Sequence, residues 1–116
     1  MKDNKLAELS MAFSIHIIEL VKDLKNKKES IMSNQIGRSG TSIGANIREA
    51  NYAHSKNDFI AKLQIALKEA NETGYWLELL HKTNYLREAE FKNLEKLCTE
   101  IRVILIKSIN TAKGNS

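Results

Sequence analysis

The sequence of 116 residues contains no proline, only five glycines and a single cysteine, and 6% of its residues are aromatic. A β-rich domain needs many turns, which proline and glycine usually supply, so their scarcity argues against that class. The single Cys98 excludes an internal disulfide framework and cysteine-rich zinc modules. Its apolar surroundings predict a buried, unreactive thiol. No apolar run approaches the roughly 20 residues of a membrane span.

The remaining composition indicates a single helical domain over residues 1–116. Leucine, isoleucine, alanine, glutamate and lysine dominate the sequence, and most of these residues favour helices. The net charge is +4 and is spread along the chain, without a basic arm or an acidic tail. This balance permits an acidic partner, but any nucleic-acid surface must come from folding or from association of several copies. The charged amino terminus does not fit a signal peptide, so we expect a soluble, cytoplasmic protein.

Apolar residues recur at helical spacing in four stretches separated by short polar breaks. They predict an all-α fold with helices at about 3–26, 31–53, 57–82 and 87–112. Ser55, with Asp58 three residues later, is a capping signal for the third helix. In the second helix, Gly37, Gly40 and Gly44 fall near one side, which favours close approach of a neighbouring helix. Similar lengths and short loops predict an up-down-up-down bundle, and excess apolar surface on helices 3 and 4 predicts subunit contacts.

Catalytic and metal-binding patterns are incomplete in this sequence. The segment 37–42 has glycines like a phosphate loop, but the lysine and the preceding strand are missing, and the strands that flank the GxxG loop of a KH domain are also missing. A di-metal bundle site needs two Glu-x-x-His pairs, whereas Glu78 and His81 form the one such pair. The three histidines lie on separate segments, so no nucleophilic triad can be assembled. We therefore predict no enzyme activity, no metal and no cofactor.

Two groups of polar residues remain as candidate site residues. One group lies close to apolar positions, and we interpret it as a structural polar layer, with a binding surface as the alternative. It consists of Asn46, Glu49, Glu69 and Glu72. The other group is basic and surrounds the second helix and the following loop. We interpret it as a phosphate-contacting face, with an ordinary solvated face as the alternative. It consists of Arg38, Arg48, Lys56 and Lys62.

The segment 34–80 resembles a known protein family. The matching residues of the second helix are Arg38, Ser39, Ser42, Ile43, Asn46, Ile47, Glu49 and Ala50. Those of the third helix are Phe59, Lys62, Leu63, Ala66, Glu69, Ala70, Glu72, Thr73, Tyr75, Trp76 and Leu77. The sequence resembles the small bacterial four-helix-bundle proteins encoded in intervening sequences of large-subunit ribosomal RNA genes. It departs from their pattern at Arg48, where a small residue is usual.

The resemblance implies an up-down four-helix bundle that assembles as a homopentameric barrel. The family is also similar to the accessory variability determinant of diversity-generating retroelements, a basic pentamer that binds nucleic acid and a reverse transcriptase. No catalytic activity is implied. We therefore expect a non-enzymatic oligomeric protein that binds RNA or DNA through a basic surface. The alternative is a protein-interaction scaffold, such as an accessory subunit of a reverse transcriptase, without direct nucleic-acid binding.

Overall fold

The structure, a computed structural model, describes residues 4–114 and places them in four long helices. These are α1 (Asn4–Asn26), α2 (Ser30–Asn51), α3 (Lys56–Lys82) and α4 (Glu88–Ala112). Each predicted boundary within the described range lies within two residues of the observed one, and the predicted start at residue 3 falls outside it. Each helix packs on its two neighbours in a ring, α1–α2–α3–α4. The described chain is all-α and forms a four-helix bundle 45 Å long and 22 × 19 Å across.

The core fills the centre of this ring with apolar side chains from every helix. Phe13, Ile17, Ile43 and Ile101 have no exposed surface, and they occupy the helical positions that the apolar spacing indicates. The one buried thiol, Cys98, belongs to the same core and donates a hydrogen bond to the carbonyl oxygen of Ala70 at 3.4 Å. Burial raises the pKa of this thiol to about 11. The predicted burial of Cys98 is therefore confirmed.

The glycines of α2 bring it close to α1, as their spacing predicts. A Cβ atom added at Gly40 would lie 2.9 Å from both Cγ1 and Cγ2 of Ile17. At Gly37 it would lie 3.2 Å from Cγ2 of Val21, and at Gly44 it would lie 3.4 Å from the hydroxyl oxygen of Ser10. Side chains of α1 therefore occupy the space that larger residues on α2 would need.

Local capping fixes where α3 begins and how α2 is joined to it. The Ser55 side chain accepts a hydrogen bond from the backbone N–H of Asp58 at 3.1 Å, which confirms the predicted cap. The short loop between α2 and α3 keeps the two helices antiparallel, so Ser39 faces Thr73, and both are fully buried. This register decides which charged residues of α2 and α3 meet on the outer surface.

The pair α1–α4 makes the least contact of the four neighbouring pairs. Leu9, Leu97 and Ile104 are only partly buried there. An open seam therefore runs along the bundle between α1 and α4. No helix in the described part combines the length and the apolar character that crossing a membrane requires.

Candidate functional site

The outer face shared by α2 and α3 carries a cluster of ion pairs around Arg38. Its guanidinium bridges from α2 to two carboxylates of α3, those of Glu69 at 3.2 Å and of Glu72. The indole N–H of Trp76 donates to the same Glu72 carboxylate at 3.1 Å. Only 16% of the Glu69 side chain is exposed, against 51% for Arg38. The carboxylates are thus held by an arginine that keeps one side towards solvent.

A second ion pair joins the same two helices nearer their loop. The Lys62 ammonium of α3 lies 3.3 Å from the carboxylate of Glu49 on α2. Asn46, between these two ion-pair groups, donates its side-chain N–H to the carbonyl of Ser42 in its own helix at 2.9 Å. Three of the four residues expected in a polar layer, the glutamates, therefore connect α2 to α3. Within residues 4–114 the Asn46 side chain makes no hydrogen bond to α3.

The four residues expected to contact phosphate differ in whether a carboxylate already engages them. Arg38 and Lys62 are engaged by carboxylates, so a phosphate approaching either one would compete with an existing ion pair. Arg48 and Lys56 are exposed and make no ion pair within residues 4–114. Arg48 lines a groove between α1 and α2 together with Met11 and Tyr52, whereas Lys56 is the first residue of α3. The assignment of all four to phosphate contact stays a prediction.

The antiparallel topology concentrates positive charge at the end of the bundle that carries the α2–α3 loop. We call this region, residues 4–9, 47–62 and 105–114, the basic end. It holds six basic side chains and three acidic ones. The basic residues are Lys5, Arg48, Lys56, Lys62, Lys107 and Lys113. The rest of the described chain holds eleven basic and ten acidic side chains, so most of the net charge lies at this end.

Sequence reasoning missed three members of the basic end. Lys5, Lys107 and Lys113 lie near the two ends of the chain, more than 40 residues from Arg48, Lys56 and Lys62. A count of charge along the sequence separates these groups, whereas the bundle brings them together. If the charged residues are placed on the predicted up-down topology, these three lysines fall at the same end of the bundle as the α2–α3 loop.

The remaining sequence motifs, segment 37–42 and the pair Glu78 and His81, are engaged in contacts within the bundle. The glycine- and serine-containing segment 37–42 lies inside the continuous helix α2, where its backbone N–H groups are used by the helix. His81 lies 2.9 Å from the carboxylate of Glu88 and stacks on Phe91 with ring centroids 4.3 Å apart. Glu78 lies 3.9 Å from the ammonium of Lys82. Within residues 4–114 no three potential ligands among His, Cys, Asp and Glu lie together as a metal site.

Comparison with known proteins places this bundle in a family. A sequence profile described as 23S rRNA-intervening sequence protein matches residues 2–107, nearly the whole chain. The protein belongs to this 23S rRNA-intervening sequence protein family, which confirms the resemblance noted in its sequence.

A solved structure supports the same assignment. It is a crystal structure of a protein of unknown function from the S23 ribosomal protein family, from Bacteroides thetaiotaomicron. This chain is similar to it with 53% sequence identity and a TM-score of 0.88, over 90% of this chain and 97% of that one. No match was found among curated proteins.

Proposed function

We propose that this protein is a non-enzymatic, oligomeric four-helix bundle that binds RNA or DNA through the basic end. The observation that carries the proposal is the net charge of +3 gathered there. Arg48 and Lys56, at that end, are exposed and have no ion-pair partner within residues 4–114. Lysine and arginine side chains of this kind contact phosphates and release counterions, which gives affinity without sequence preference. The Bacteroides protein is named as a member of a ribosomal protein family, which is in keeping with association with RNA.

Self-association is the second part of the proposal. Met11, Ile15 and Ile18 lie on one outward face of α1 with 50%, 53% and 44% of their surfaces exposed. Residues spaced by four and three positions are neighbours on a helix, so they form a continuous apolar stripe that association would bury. The family resemblance favours a homopentamer, in which five basic ends would act together on one nucleic acid. Sedimentation of the purified protein would test this state, and a monomer at micromolar concentration would contradict it.

Charge reversal at the basic end tests the binding surface. Arg48→Glu and Lys56→Glu should each weaken binding to structured RNA or duplex DNA and reduce the salt dependence, by roughly one unit of the log–log slope per lost phosphate contact. Lys96→Glu is the matched control, because Lys96 is also exposed and unpaired within the described range but lies mid-bundle on α4. Arg38 is a poorer probe, since its reversal would place a third carboxylate beside Glu69 and Glu72. Equal weakening by the control would refute the assignment to the basic end.

A protein-interaction scaffold without nucleic-acid binding is the second candidate function. The exposed stripe of Met11, Ile15 and Ile18 favours it, because a partner protein such as a reverse transcriptase would bury the stripe equally well. Loss of partner binding in an Ile15→Lys variant, with no nucleic-acid binding by the unmodified protein, would support this candidate over the first.

A further inference from the structure

An open groove lies at the basic end, where the start of α1 meets the start of α3 and the last turns of α4. Its volume is about 670 Å³, which is within the range of small-molecule sites. Phe59 and Ile104, both partly buried, provide its apolar surface. The hydroxyl-bearing Ser108 and Thr111 line the same groove. The groove therefore combines a flat aromatic and aliphatic surface with groups that can exchange hydrogen bonds.

The charged side chains that line this groove are both lysines. Lys5 and Lys107 line it, both are exposed, and neither makes an ion pair within the described part of the chain. A smaller cavity of about 160 Å³ lies towards the opposite end of the α1–α4 seam. That cavity is lined by the carboxylates of Glu19, Asp23 and Glu90. Glu19 lies beside His16 and Asp23 beside Lys27, so the end of the seam that attracts an anionic ligand is the one with the two unpaired lysines.

We propose that the groove at the basic end binds an unpaired nucleotide of RNA or DNA. The base lies against Phe59 and Ile104, and the phosphates on either side of it lie near Lys5 and Lys107. This inference rests on the proposed nucleic-acid binding and adds to it a preference for unpaired nucleotides. The bases of a duplex are paired and stacked within the double helix, so a blunt duplex offers phosphates but no unpaired base to enter this groove. Stacking of one base on an aromatic side chain strengthens binding by roughly 5- to 150-fold.

Two fluorescent DNA probes separate this proposal from simple phosphate binding. One is a blunt duplex, and the other is the same duplex with a short single-stranded overhang. We expect the full chain to bind the overhang probe at least about fivefold more tightly in an anisotropy titration. Ser108→Leu fills the groove without changing the charge, and it should abolish this preference by lowering the affinity for the overhang probe to that for the blunt duplex. Asn110→Leu is the matched control, because Asn110 is exposed on the same helix and does not line the groove.

Each outcome of this experiment decides a different point. Equal affinity for the two probes overturns the groove proposal and leaves the proposed function standing. An overhang preference that survives Ser108→Leu also overturns it. No binding of either probe at low salt overturns the proposed function, and the groove proposal with it. If Ser108→Leu fails to fold, Lys107→Gln replaces it, with Lys96→Gln as its control, and only the Lys107 variant should lose the overhang preference.

Discussion

Substituting Gly40 by alanine should destabilise the bundle, although alanine is the better helix former. Within a helix the exchange normally gains about 1 kcal/mol. At Gly40 the new Cβ would lie 2.9 Å from two carbon atoms of Ile17, which has no exposed surface and cannot move into solvent. Overpacking of this kind costs about 1–3 kcal/mol, so the net loss should be about 1 kcal/mol. A Cβ atom added at Gly74 would meet nothing within 4 Å beyond its chain neighbours and the backbone of its own helix, and Gly74→Ala should therefore gain about 1 kcal/mol.

The quantity to measure is the difference in free energy of unfolding between Gly40→Ala and Gly74→Ala. Urea unfolding followed by circular dichroism, at one protein concentration because association shifts apparent stability, should separate their free energies of unfolding by about 1–3 kcal/mol. In an Ile17→Ala background the crowding atoms are gone, so Gly40→Ala should become stabilising. If Gly40→Ala is as stable as Gly74→Ala in the unmodified background, the close approach of α1 and α2 is wrong.

Two further predictions concern buried polar groups. Thr73→Val removes a hydroxyl that hydrogen-bonds with Ser39 at 2.8 Å and with the carbonyl of Glu69 at 2.7 Å. It should lower the free energy of unfolding by about 1–3 kcal/mol, because the Ser39 hydroxyl is left buried without this partner; an unchanged unfolding midpoint would contradict the pairing. The Cys98 thiol, whose pKa is raised to about 11 by burial, stays protonated at pH 8. Alkylation by iodoacetamide should therefore be slow in the native protein and fast in denaturant, and equal rates would show that Cys98 is accessible.

Much of the fold follows from local signals in the sequence. Apolar spacing predicts all four helices, Ser55 predicts the start of α3, and Gly37, Gly40 and Gly44 predict one close helix contact. These features depend on residues near each other in the chain. The register between helices cannot be obtained in this way, because it depends on how the side chains of two helices pack together.

The candidate site illustrates that limit. The sequence offers Arg38 as one of several possible partners of the glutamates and gives no partner for Lys62, whereas the register of α2 on α3 places Arg38 beside Glu69 and Glu72 and Lys62 beside a third glutamate. Conversely, Lys5 and Lys107 are distant in sequence and line one groove in the fold. The ion-pair partners of a basic residue therefore decide whether it is available for phosphate, and only the packed structure supplies them.

The most direct test of the central claim is a binding titration of the purified protein with structured RNA and with duplex DNA at two salt concentrations. A surface that contacts phosphates should bind nucleic acid at low salt and lose affinity steeply as salt is added. Each phosphate contact contributes about 0.9 to the slope of log affinity against log salt concentration for duplex DNA. That result would support nucleic-acid binding through the basic end. No binding to either nucleic acid at low salt would contradict it.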